Sequence, residues 1–200
     1  MLKRSLASAG FTLIELMIGL TVLGILIMIG LPSLATWVQN SHIRTAAEAV
    51  QSGLQLARGE ALRRNTTVRF QLVSTLTSAC ALSATGTNWV VSLADPTGAC
   101  EQAPSDATAP QIVQKKDGAE GAANATITAT GGTSVTFNGL GRVTGAGPIT
   151  RVDIRNATGG ACKTAGADEP MRCLAVTISS GGQVRMCDPA VTDVTDPRSC

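Results

Sequence analysis

The chain has 200 residues, of which 44 % are hydrophobic, 15 % charged and only 2 % aromatic, with two Trp, three Phe and no Tyr. So few aromatic faces exclude a base-stacking platform for single-stranded nucleic acid, and a single histidine, His42, argues against histidine catalysis or a multi-histidine metal site. The formal charge of +2 comes wholly from Lys3 and Arg4, since 16 basic residues less those two leave 14 against 14 acidic ones.

The apolar content is concentrated near the start. Between Phe11 and Leu31 the only strongly polar residue is Glu15. As a helix rising about 1.5 Å per residue, that run matches the roughly 30 Å hydrocarbon thickness of a bilayer. The basic residues before it leave the extreme N-terminus in the cytoplasm by the positive-inside rule. The run is longer than the roughly 7–15 apolar residues of a secretory signal peptide. It also carries a carboxylate, which is costly in a bilayer and reads as functional by default.

From Ser33 the pattern becomes amphipathic. Ile43, Ala47, Val50, Leu54, Ala57 and Ala61 recur at intervals of three and four, with Arg44, Glu48, Gln51 and Arg58 opposite them. Arg63 and Arg64 followed by Asn65 form a plausible helix end. The predicted helix runs from about residue 12 to residue 64.

Beyond Asn65 strand patterns take over. Val68, Phe70 and Leu72 alternate with polar residues, as do Trp89, Val91 and Leu93, and Val152 with Ile154. Gly131-Gly132 between Thr126–Thr130 and Ser134–Phe137 predicts one hairpin, and Ser180-Gly181-Gly182 between Cys173–Ser179 and Gln183–Cys187 a second. The segment from Pro96 to Pro110 reads as an irregular loop. The architecture expected is α+β: one long helix on a largely antiparallel sheet.

Six cysteines follow the apolar run, at positions 80, 100, 162, 173, 187 and 200. An even number on the non-cytoplasmic side reads as disulfides, and the lack of a Cys-x-x-Cys pair argues against zinc. Nearest neighbours give Cys80–Cys100, Cys162–Cys173 and Cys187–Cys200. The rival joins Cys173 to Cys187 across the last hairpin and leaves Cys162 for Cys200. No metal, cofactor or catalytic constellation is implied: His42 has no partner carboxylate at helical spacing. Asp188, Asp193 and Asp196 lack the dense oxygen spacing of a calcium loop.

Gly10 followed by Phe11-Thr12-Leu13-Ile14-Glu15-Leu16, after a short basic leader, resembles the prepilin cleavage and methylation motif of type IV pilins and type II secretion pseudopilins. The resemblance implies cleavage between Gly10 and Phe11, N-methylation of Phe11, and Glu15 as an assembly residue that pairs with a neighbouring subunit's amine. It also implies a proline 22 residues into the mature chain, which Pro32 supplies, with a kink or locally melted helix there. Val135-Thr136-Phe137-Asn138-Gly139-Leu140-Gly141-Arg142 and the stretch from Cys173 to Pro189 are similar to the GspH/FimT family. A C-terminal disulfide loop is frequent among pilins, in line with the cysteine spacing.

The organisation that follows is a leader (1–10), a transmembrane and filament-core helix (11–32), an amphipathic helical half (33–64) and a periplasmic β-rich domain (65–200). The type IV pilin-like fold implies a minor subunit of a type IV pilus or a type II secretion pseudopilus, anchored once in the bacterial inner membrane. Its implied partners are other pilins or pseudopilins, a prepilin peptidase/N-methyltransferase, the inner-membrane assembly platform and membrane lipid. DNA uptake is the less favoured alternative, through Arg142, Arg151, Arg155, Arg185 and Arg198. The family's Gly-Arg-x-Arg motif reads Gly182-Gln183-Val184-Arg185 here and lacks its first arginine. Seven basic and six acidic residues from Arg142 onward leave little charge for phosphate.

Overall fold

The long helix is closed at its C-terminal end by its own backbone. In the computed structural model, which describes residues 11–118 and 120–200, α1 runs Leu13–Arg64. Asn65 follows in the left-handed region (φ 48°). The Thr66 amide donates to Ala61 O and the Asn65 amide to Leu62 O, at 3.3 and 3.4 Å. This paired closure satisfies the orphan carbonyls of the last turn, and Asn is one of the few residues besides Gly that tolerates that conformation. The helix continues through position 32, so the proline neither melts nor ends it. Pro32 removes one hydrogen bond, to Met28 O, and the helical turns on both sides carry the chain past the gap.

The chain divides into a first unit ending at Trp37 and a second from Val38 to Cys200. In the first, the large hydrophobics from Leu13 to Met28, and Leu31, stand exposed. In the second, the predicted stripe Ile43, Ala47, Val50, Leu54, Ala57 and Ala61 is fully buried. Of the polar residues opposite, Arg44 pairs with Glu48 at 2.8 Å on the surface. Arg58 departs from the solvent-facing expectation: its Nε donates to Gly141 O at 3.2 Å, partly buried.

Among the described residues nine strands follow: β1 Val68–Val73, β2 Asn88–Ser92, β3 Ile112–Lys116, β4 Ala125–Thr130, β5 Ser134–Phe137, β6 Val143–Thr144, β7 Arg151–Asn156, β8 Leu174–Ile178 and β9 Val184–Cys187. They form two antiparallel sheets rather than one, in the orders β3-β2-β1-β5-β6 and β4-β7-β8-β9. Val68, Phe70 and Leu72 of β1 with Trp89 and Val91 of β2 face the helix stripe in one core. Val152, Ile154 and Val176 of the second sheet belong to the same core. Gly53 is the close-approach position: a Cβ there would lie 2.9 Å from Phe70 Cε2 and 3.1 Å from the Trp89 ring. Each large side chain buried in this way contributes about 1.5–3 kcal/mol.

The Ser180–Gly182 turn joins β8 to β9 as the predicted hairpin. The turn at Gly131-Gly132 does not make one. β4 pairs along its whole length with β7, and β5 pairs with β1 and β6, so these glycines carry the chain from one sheet to the other. The return crossing passes against them, with Ile149 N donating to Ser134 O and Thr150 N to Thr130 O at 2.8 and 2.9 Å. Gly131 has φ 97°, and a Cβ on either glycine would strike the carbonyls of Pro148 or Gly147. The glycines are therefore required by the crossing of two segments, not by a hairpin turn.

The outer face of the first sheet carries a smaller buried cluster of Val73, Val90, Ile112, Cys80 and Cys100. Cys80–Cys100, Cys162–Cys173 and Cys187–Cys200 are bonded, with Cα separations of 6.1, 5.4 and 5.1 Å. This is the nearest-neighbour pairing. Cys187 instead faces Ala175 across the β8–β9 ladder, two residues from Cys173.

Candidate functional site

The start of α1 is a built cap. The Thr12 hydroxyl accepts the Glu15 amide at 3.3 Å and donates to the Glu15 carboxylate (Oε2) at 3.5 Å. With Leu13 as the first helical residue, Thr12 is the N-cap and Glu15 the third position, the Thr-x-x-Glu spacing of a capping box. The Thr12 side chain caps the Glu15 amide, and the Glu15 carboxylate meets the Thr12 hydroxyl rather than its amide. A carboxylate at that place also meets the positive end of the helix dipole. The sequence reading gave Glu15 a partner only on another subunit and passed over Thr12, although the Thr-x-x-Glu pattern was the cue. Phe11, just before the cap, is 85 % exposed. Gly10, Lys3 and Arg4 lie outside the described residues. The helix is long and apolar enough to cross a membrane, with a mean hydropathy of 2.5 over its most apolar window of 18 residues.

This arrangement presents a fixed anion on an otherwise apolar, uncovered helix end. Chemically it suits a cation delivered by another chain. No partner for Glu15 beyond Thr12 exists among the described residues.

Where the helix enters the folded domain, amides join it to three loops. Gln39 Oε1 accepts Asn156 Nδ2 at 2.6 Å and Asn124 Nδ2 at 3.3 Å. Asn40 donates to Pro170 O at 3.1 Å and accepts the Arg172 amide at 2.7 Å. Asn156, only 1 % exposed, uses its own Oδ1 to organise Thr158 and Gly159. His42, two residues on, is half-buried, and its Nδ1 has no hydrogen-bond partner among the described residues.

Three of the five arginines lie on the outer face of the second sheet. Arg151 and Arg155 share the outer face of β7, and Arg185 lies two strands away from Arg151, across Thr177. Arg142 belongs instead to the turn before β6. Asp153 neutralises Arg151 at 2.7 Å, and Asp196 neutralises Arg198 at 2.6 Å. Arg185 is turned to the tail, donating to Ser199 O at 2.9 Å. Hydrogen bonds from the Arg198 side chain, then its amide, hold the Asp196 carboxyl down at about 2. Asp188 is buried against Arg172 at 3.1 Å, and Asp193 receives the Thr195 amide and hydroxyl. Among the described residues no group of three carboxylate, histidine or cysteine side chains is placed to hold a metal.

The profile of the family described as type II transport protein GspH matches residues 46–182. That of the prokaryotic N-terminal methylation motif matches residues 6–31. No curated protein matches the chain significantly. Among solved structures, the type IV minor pilin FimU of Pseudomonas aeruginosa matches in two crystal forms. One is 18 % identical, covers 72 % of this chain and 90 % of its own, and has a TM-score of 0.43. The other is 20 % identical, covers 79 % and 94 %, and has a TM-score of 0.45.

Proposed function

The chain belongs to the GspH family and is a membrane-anchored minor pilin or pseudopilin, and from that premise we propose how its helix end works. A prepilin peptidase cuts between Gly10 and Phe11, and Phe11 is N-methylated. Gly10 offers no side chain, which leaves its carbonyl open to a protease at the membrane surface. The new cationic amine on Phe11 then pairs, in a filament of staggered helices, with Glu15 of an adjacent subunit. The filament is a type IV pilus or a type II secretion pseudopilus, drawn from the inner membrane through an assembly platform, with residues 65–200 on the periplasmic side. The role is structural, and DNA binding is not needed to account for the chain.

The observation that carries this reading is the capped Glu15 carboxylate on an uncovered apolar helix, immediately after the cleavage motif. The cap also dictates the test. Glu15→Ala would remove both the charge and a cap residue, whereas Glu15→Gln keeps a capping-box residue and removes only the charge. Breaking a buried ion pair from one side costs roughly 3–5 kcal/mol. Glu15→Gln should therefore be inserted and cleaved normally, yet its ratio in sheared filaments to membranes should fall at least about tenfold, or about 1.4 kcal/mol. An unchanged ratio with normal cleavage would remove Glu15 from the assembly mechanism.

A further inference from the structure

The outer face of the second sheet carries a cleft of about 500 Å³, within the roughly 300–1,000 Å³ typical of small-ligand sites. Its floor is Arg151, Asp153 and Arg155 of β7 with Thr126 of β4, and its rim includes Lys163 and Pro189. The walls are covalently stapled. The loop bearing Lys163 is closed by Cys162–Cys173, and Pro189 lies in the loop closed by Cys187–Cys200. A rim fixed in advance loses little freedom when a ligand enters.

The charges in this cleft are unequally committed. Arg151 spends both Nε and Nη2 on one oxygen of Asp153, at 2.9 and 2.7 Å. Lys163 is paired with Asp168 at its outer edge. Arg155 is exposed, and its guanidinium has no ion pair or hydrogen bond among the described residues. Asp153 Oδ2 is likewise without a partner there. Arg155 and Asp153 are two residues apart on one strand face, so a free donor fork and a free acceptor rise from backbone positions about 7 Å apart.

That juxtaposition selects the ligand. A guanidinium takes a carboxylate through two parallel hydrogen bonds, while Asp153 Oδ2 asks for an N–H donor. A nucleic-acid backbone supplies oxyanions only, would meet Asp153 as a like charge, and needs several free cations in a row. An extended acidic peptide supplies both a carboxylate and amide N–H groups at spacings of a few ångströms. We propose that this cleft is a binding site for a short acidic peptide segment of a partner protein, with Arg155 receiving the carboxylate and Asp153 a backbone amide.

The test uses the full chain in detergent micelles and fluorescence anisotropy with a labelled hexapeptide carrying two aspartates. Its asparagine counterpart and a single-stranded oligonucleotide are the other probes. Saturable binding of the aspartate peptide is expected, weakened at least about tenfold by Arg155→Gln, partly restored by Arg155→Lys, and unchanged by Arg142→Gln outside the cleft. The proposal is overturned if the aspartate peptide fails to saturate or the asparagine peptide binds equally well. It is equally overturned if Arg142→Gln weakens binding as much as Arg155→Gln, or if the oligonucleotide binds more tightly through Arg155.

Discussion

Glu60 ties the end of the helix to the first sheet's covering loop, and its removal can be worked through in numbers. Its carboxylate accepts Arg63 at 3.0 and 2.7 Å and Arg64 at 2.7 Å, while Arg64 reaches on to Asp106 at 2.6 Å. The Glu60 and Arg64 side chains are only 15 % and 18 % exposed, whereas Arg63 is 63 % exposed. Hydrogen bonds from Arg63, then Arg64, pull the Glu60 carboxyl from 4.5 to about 2. The whole shift corresponds to about 3 kcal/mol. Water screens the Arg63 share, so the expected contribution is about 1–2 kcal/mol. The folded value lies below the unfolded one, so this stability is complete above pH 4.5 and disappears as the pH falls towards 2. Glu60→Gln should therefore lower stability by about 1–2 kcal/mol at pH 7 and by progressively less below pH 4.5. Urea titrations of the full chain in detergent, followed by fluorescence of the buried Trp89, measure this at a series of pH values. A difference between wild type and variant that stays constant from pH 7 to pH 2 would refute the coupling.

Two further outcomes follow from the geometry and the motif. Gly10→Val should leave full-length precursor in the membrane fraction, where mass spectrometry of wild type finds methylated Phe11; a normal mature N-terminus in the variant would sink the processing step. Replacing Cys80 and Cys100 together by Ala opens a loop of sequence separation 20, which should lower the urea-derived stability by about 3 kcal/mol in the chain-entropy account. A loss below about 1 kcal/mol would mean that the buried cluster around Val73 and Ile112 holds the loop without the bond.

Where a pattern is local, the sequence disclosed it: the helix stripe, the alternation in β1, β2 and β7, and the β8–β9 hairpin. Where partners are distant, it did not. The hairpin reading of Gly131-Gly132 assumed that neighbours in sequence pair. The partner of β5 is instead β1, some sixty residues earlier, and only that pairing splits the strands into two sheets. β3 was missed because Ile112 and Val113 precede Gln114, Lys115 and Lys116 with no alternation. It is an edge strand, where lysines are tolerated, and Lys115 folds back to the carbonyls of Cys100 and Glu101. The cleft was half legible: strand alternation places Arg151, Asp153 and Arg155 on one face. That Asp153 engages only Arg151, leaving Arg155 free, depends on rotamers that a period of two does not specify.

Under the proposed assembly, the capped helix start lets one glutamate serve both a free subunit and a filament. A charged side chain at the centre of a membrane helix costs about 2.5–3.5 kcal/mol or more. Glu15 is the third residue of α1, so it stands only about 3 Å along the axis from the first helical residue, at an end of the helix rather than its centre. A negative charge in the first turn gains about 0.3–1 kcal/mol through the helix dipole. This local term offsets part of the cost of carrying the carboxylate before assembly, without abolishing the attraction for a cation. In the proposed filament, an amine arriving from another subunit would take up a carboxylate that stands beside the Thr12 hydroxyl at an exposed helix end, so the ion pair would form with the local helix already capped at the Glu15 amide.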